Sequence, residues 1–107
     1  MEELLKKLLH EARMQRAVAM LRLDGGLHVL VYPLPAGAIV ALGAPPDRPL
    51  APKEVLRKRS SDLARYGAWL PAMFNDGSLY VLRRVVGDDD EASLTDAALA
   101  VAEELLN

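Results

Sequence analysis

Four acidic residues in a row, Asp88-Asp89-Asp90-Glu91, form the densest set of potential ligands in this sequence. Several carboxylates on one loop could coordinate a hard cation. The ligand spacing of a calcium loop is missing, and acidic residues just ahead of a helix also stabilise its positive end. The run therefore reads as a solvated loop that introduces the last helix, with no metal expected. His10 and His28 fall on different elements, and neither has a second nitrogen or a thiolate nearby in sequence. His28, on a strand with Tyr32, could serve as a general base, but hydrolysis would also need a nucleophile and a group that orients the base. Ser60, Ser61, Ser78 and Ser93 have no such setting. The glycine pairs sit at hairpin turns rather than between a strand and a helix, so no phosphate loop is expected. No catalytic residue, metal or cofactor follows from these residues, and the chain is not expected to be an enzyme. The one enzymatic alternative is a site around His28, Tyr32 and the 88–91 loop.

With 107 residues the chain fits one domain, and a core of this size buries only ~60–70% of the surface exposed by the unfolded chain. Yet 51% of the residues are hydrophobic and the mean hydropathy is +0.09. That apolar load exceeds what one small core hides, and exposed apolar patches mark interfaces. A dimer or a binding protein is the expectation. The net charge of -2 and a pI near 5.6 argue against a sequence-independent grip on nucleic acid, which needs clustered cations. The nearest basic run, Lys53, Arg57, Lys58 and Arg59, is diluted by Glu54 and followed by Asp62, as on a solvated helix face. There is no cysteine, hence no disulfide framework and no thiolate metal site. The acidic, amphipathic start lacks the pattern of a secretion signal, and no apolar run approaches the ~20 residues of a membrane helix. A soluble, cytoplasmic protein with no membrane insertion is expected.

The elements that must position any surface follow from periodicity. Leu4, Leu5, Leu8, Leu9 and Ala12 recur at helical spacing, with Glu2, Glu3, Lys6, Lys7 and Glu11 on the other side. Residues 17–23 alternate, Ala17, Ala19, Leu21 and Leu23 against Val18, Met20 and Arg22. Asp24-Gly25-Gly26 provides the positive φ angles of a tight hairpin. A second strand at 27–32 sets Leu27, Val29 and Val31 against His28, Leu30 and Tyr32, so both its faces are largely apolar. A third strand at 38–42 completes a meander. Gly43-Ala44-Pro45-Pro46-Asp47-Arg48-Pro49 cannot continue a strand, because proline removes donors and fixes φ. A single helix is predicted over 52–66, with Pro52 in its first turn and Gly67 at its end. Strands at 68–74 and 79–86 flank Asn75-Asp76-Gly77-Ser78, whose Asp-Gly pair is the strongest hairpin signal in the chain. Pro71 places its strand at an edge. Ser93-Leu94-Thr95-Asp96 opens a last helix with Leu94, Ala98, Val101 and Leu105 on one stripe.

The expected fold is α+β, in the order α-β-β-β-α-β-β-α, with an antiparallel twisted sheet and helices packed on it, residues 1–107 forming one domain. Trp69, Tyr66 and Phe74 cluster at the exit of the second helix, where aromatics serve either as core filling or as interface anchors. Leu56, Ser60, Leu63 and Gly67 form a stripe whose small members would let a second copy of the helix approach across a two-fold axis.

This order of elements, the segment Phe74-Asn75-Asp76-Gly77-Ser78-Leu79-Tyr80-Val81-Leu82-Arg83-Arg84-Val85, and the helix ending Leu94-Thr95-Asp96-Ala97-Ala98-Leu99-Ala100-Val101-Ala102-Glu103-Glu104-Leu105-Leu106 together resemble the class I type III secretion chaperones, the family of the Tir chaperone. In that family the last hairpin often has an acidic-Gly turn and a Leu-x-Leu second strand, followed by a C-terminal helix ending in Ala-Glu. The residue-level likeness covers the final third of the chain. This sequence is shorter than most members and lacks the Trp that often closes their final helix. The resemblance implies a small acidic bacterial homodimer in the cytoplasm that holds the N-terminal segment of a secreted effector or regulator in extended form, without nucleotide. Carried over, it implies client contacts at Leu4, Leu5, Leu8, Val29 and Val31, and dimer contacts at Leu56, Ser60, Leu63 and Trp69. A regulatory or structural subunit of the same fold that forms a heterodimer with another secretion protein is the alternative.

Overall fold

Leucines three and four apart, with charges between them, wind the first fourteen-residue stretch into α1 (Glu2–Gln15), which buries Leu5, Leu8, Leu9 and Ala12. The computed structural model describes residues 2–23, 26–44, 51–75, 77–87 and 92–106. The Asp24-Gly25 step of the first turn, linker residues 45–50, Asp76 and the acidic run 88–91 lie outside the described residues. Helix α1 ends at Arg16, whose φ of +50° is left-handed, and the Ala17 amide then donates back to the Ala12 carbonyl at 3.2 Å. That bond satisfies one of the orphan carbonyls of the last turn.

Five strands follow in one antiparallel sheet: β1 (Ala19–Arg22), β2 (His28–Leu34), β3 (Gly37–Gly43), β4 (Leu70–Met73) and β5 (Leu79–Val85). Their spatial order is β1-β2-β3-β5-β4. The meander is as the alternation predicted, and Pro71 sits on an edge strand, where its missing donor costs no ladder bond. Strands β1 and β4 are shorter than the expected 17–23 and 68–74. Beyond β1 the Ala17 amide is committed to the α1 cap instead of a ladder, and Phe74 accepts its turn bond from Gly77.

The predicted single helix over 52–66 is two helices, α2 (Pro52–Ser61) and α3 (Leu63–Tyr66). Asp62 breaks it, at φ -151° and ψ 74°, and its side chain caps the Arg65 amide. Asp competes with the helix through exactly such local side-chain bonds, and here that competition wins. The last helix, α4 (Asp96–Leu105), is capped by Thr95, whose hydroxyl accepts from the Ala98 amide at 3.2 Å. The cap is thus two residues later than the Ser93 start predicted from sequence, and Leu94 is buried ahead of the helix.

The described helices pack on one face of the sheet. Leu5, Leu8, Leu9 and Ala12 of α1, Val55 of α2, and Leu99, Ala102 and Leu105 of α4 share one core with Val29, Val31, Val40, Leu42, Val81 and Val85. Trp69, 1% exposed, sits in the same core. Arg83 reaches it from β5, its guanidinium 5.9 Å from the Trp69 ring centroid and donating to Ser93 Oγ at 2.7 Å. The amide of Glu2 donates to Asp96 Oδ1 at 2.8 Å, which ties the start of α1 to the start of α4.

Candidate protein-binding surfaces

The strand period of two sends alternate side chains to the opposite face of the sheet. Register aligns Met20, Leu30, Ala41, Leu82 and Leu70 in one row across all five strands. Leu30, Ala41 and Tyr80 form a second, separate apolar cluster with Phe74 and Leu82 packed against it, and no described helix belongs to it. Met20 and Leu70, at the two ends of the row, are 66% and 57% exposed. The Tyr80 ring lies across Gly43, where a Cβ would come within 2.5 Å of it, and stacks on Phe74 at 4.4 Å and 13°. Glycine at 43 is what lets the aromatic pair lie flat. Antiparallel sheets that face water normally alternate apolar-in with polar-out; this outer face is apolar through its middle row.

A second apolar feature lies at the β1 edge. Leu4, Leu5, Leu8, Leu21, Leu23, Val29 and Leu99 line a narrow cleft between α1 and the sheet. Among the described residues strand β1 pairs only with β2, and no other described strand lies along its outer edge. The Leu23 amide donates inward to Leu27 at 2.8 Å. By alternation the Leu21 amide also points inward, and those of Met20 and Arg22 point out.

The residues predicted to touch a client are redistributed by this packing. Leu5, Leu8, Val29 and Val31 are 3%, 9%, 4% and 0% exposed, so they belong to the core of the chain itself. Only Leu4, 47% exposed, stands at the surface. The leucine stripe was wide enough to serve sheet or partner, and the sheet takes it. Of the predicted dimer contacts, Trp69 is likewise buried and is corrected to a core residue. Leu56 and Leu63 are exposed, but the break at Asp62 puts them on different helices, so the 56-60-63-67 stripe is not one continuous face. Ser60 is exposed and bonds the Leu56 carbonyl of its own helix at 2.9 Å.

Polar groups that sequence left open are engaged in structure. Arg59 turns inward and donates to the Trp69 carbonyl at 2.9 Å and the Gly67 carbonyl at 3.0 Å, and Lys58 donates to the Glu104 carbonyl. The basic run is therefore partly spent in joining α2 to its neighbours. Arg65 pairs with Glu104, whose other oxygen accepts from the Tyr66 hydroxyl at 2.8 Å. The Arg65 bond, then the Tyr66 bond, holds the Glu104 carboxyl below its ordinary range, and the bond to Glu104 raises Tyr66. A depressed carboxylate stabilises the fold at pH above its unfolded pKa, and loses that contribution as pH falls through the lower folded pKa. Glu104→Gln should accordingly flatten the fall of the urea midpoint below about pH 4.5 relative to wild type.

His28 accepts from Arg22 Nε at 3.2 Å. Tyr32 is four residues further along the same extended strand, about 13 Å away, well outside the ~3 Å reach of a base and its proton. Among the described residues no group of three or more His, Cys, Asp or Glu could hold a metal ion, and no helix is long and apolar enough to cross a membrane. An open hollow of about 790 Å³ beside the β2–β3 turn is lined by Arg13, Arg16 and backbone-rich residues 33–37. No protein-family model, no curated protein and no solved structure matches this chain.

Proposed function

We propose that this chain is a protein-binding module, a cytoplasmic homodimeric chaperone that holds the N-terminal segment of a secreted effector or regulator in extended form for type III export. The observation that supports it best is the β1 edge, with two outward amides, beside Leu4, which stands half exposed on α1. An extended segment can add to such an edge through main-chain bonds, while its side chains pack on the half-exposed Leu4 of α1 beside it. No chemical step is required, and ordering of the client is deferred to binding. The α-β-β-β-α-β-β-α layout is in keeping with the chaperone resemblance.

The test is capture from the native host with a tagged chain, identification of the bound protein by mass spectrometry, and hydrogen exchange on the complex. A client whose N-terminal segment is protected only where it binds, and is unfolded elsewhere, is expected. Arg22→Pro removes one outward amide without touching the inward ladder, and should abolish capture while the melting temperature stays near wild type. Undiminished capture by Arg22→Pro and by Leu4→Glu would overturn the reading. Copurification of an equimolar small protein of similar fold would instead favour the heterodimeric subunit.

A further inference from the structure

The β1 edge offers a charge as well as hydrogen bonds. Counting back from the Leu23 amide, which donates to Leu27, alternation turns the amides and carbonyls of Met20 and Arg22 away from β2. Every strand pair in this sheet is antiparallel, the more stable arrangement per residue. A segment added in the same sense exchanges both bonds with Met20 and both with Arg22. The two residues of the segment that lie directly opposite then share the outer face with them, Cβ to Cβ about 5 Å apart.

None of the five strands contains Asp or Glu, whereas the outer face carries Arg22, His28 and Arg84. Arg22 is exposed, and its Nε donates to His28 Nε2 at 3.2 Å. That bond steadies the guanidinium and leaves its two Nη groups, the fork that a carboxylate takes in bidentate fashion. Among the described residues no carboxylate pairs with Arg22. A cation opposite it would be repelled, and an apolar side chain would displace its water without replacing the lost bonds. Opposite Met20, 66% exposed, an apolar residue gains most. The residue between them points to the inner side, where the half-exposed Leu4 meets Leu21 and Leu23 along one cleft.

We propose that the segment bound at β1 is selected by charge: it runs antiparallel to β1 with Asp or Glu opposite Arg22, then an apolar residue beside Leu4 and Leu21, then an apolar residue opposite Met20. Arg22 is the specificity-determining residue of the edge and fixes both register and direction. A slip by one residue sends the carboxylate to the other face, and a slip by two sets it against Met20. This rests on the edge-binding reading above and names the chemistry of what the edge accepts.

Short random segments displayed at the N-terminus of a carrier protein, and selected on the immobilised chain, test it. Wild type should enrich an acidic residue followed by two apolar ones. Arg22→Glu should enrich Lys or Arg at the acidic position, and Arg22→Leu, which keeps the amide, should retain the apolar pair without a charge preference. Circular dichroism should be unchanged in both variants. Reversing the charge of the best segment should weaken its binding to wild type about fivefold, the scale of an exposed ion pair, and Arg22→Glu should recover it. Enriched segments that protect the Met20 and Arg22 amides from hydrogen exchange but show no charge preference, or keep it in Arg22→Glu, overturn this inference and leave the edge reading standing. If no enriched segment protects those amides, the edge reading fails and takes the inference with it. Protection of both amides in the concentrated chain alone would give the edge to a second copy and likewise overturn it.

Discussion

A chain carrying Leu5→Glu together with Leu8→Glu is expected to lose its fold, and with it every binding activity. Both leucines point from α1 into the core shared with Val29 and Leu99, and they are 3% and 9% exposed. Removing each from burial forfeits ~1.5–3 kcal/mol, and a carboxylate left without a partner in an apolar core adds a desolvation cost of several kcal/mol. The total reaches the ~5–15 kcal/mol by which a domain is stable. Far-ultraviolet circular dichroism and a melt on the double variant check this. A folded variant that has lost only its client would return those two leucines to the surface, as the family resemblance implied. Leu4→Glu is the internal control, because its parent is half exposed and its loss should cost little stability.

Trp69→Ala should destabilise the chain by about 3–5 kcal/mol, the scale for truncating a fully buried large aromatic. Trp69 is 1% exposed, carries the Arg83 guanidinium over its ring, and offers its carbonyl to Arg59. One truncation therefore opens a cavity and removes the ring under Arg83, while the backbone carbonyl that accepts from Arg59 remains. Urea denaturation gives the number. If Trp69 faced a partner instead, its removal would split a dimer and leave the protomer as stable as before.

Most of the element order was legible, because it rests on local signals. The Leu5-Leu8-Leu9-Ala12 spacing, the alternation in β2, and Pro71 at an edge all follow from the chain's own periodicity. The break at Asp62 was less visible, since one side chain bonding the Arg65 amide overrides an otherwise helical pattern. The start of α4 was misplaced for a similar reason: Ser93 and Thr95 are both able to cap, and only packing of Leu94 decides between them.

Surfaces were harder to read than elements. A leucine stripe says that one face of α1 is buried, and says nothing about whether a sheet or a partner buries it. The outer sheet face did leave a trace, since β2 is apolar on both faces and Met20 alternates with core residues in β1. What periodicity could not supply was the cross-strand register. Only pairing of Met20 with Leu30, Leu30 with Ala41, Ala41 with Leu82 and Leu82 with Leu70 joins scattered residues into one row. The Arg65-Glu104-Tyr66 bonds are likewise invisible in a sequence that separates them by 38 residues or more.

The most direct test of the β1-edge reading needs no substitution. The amides of Met20 and Arg22 point away from β2, so in the chain alone they should exchange their hydrogens quickly, and in the complex captured with a client they should be protected. Equally fast exchange of both amides with and without the client would contradict the account, because no main-chain partner would then have joined the edge.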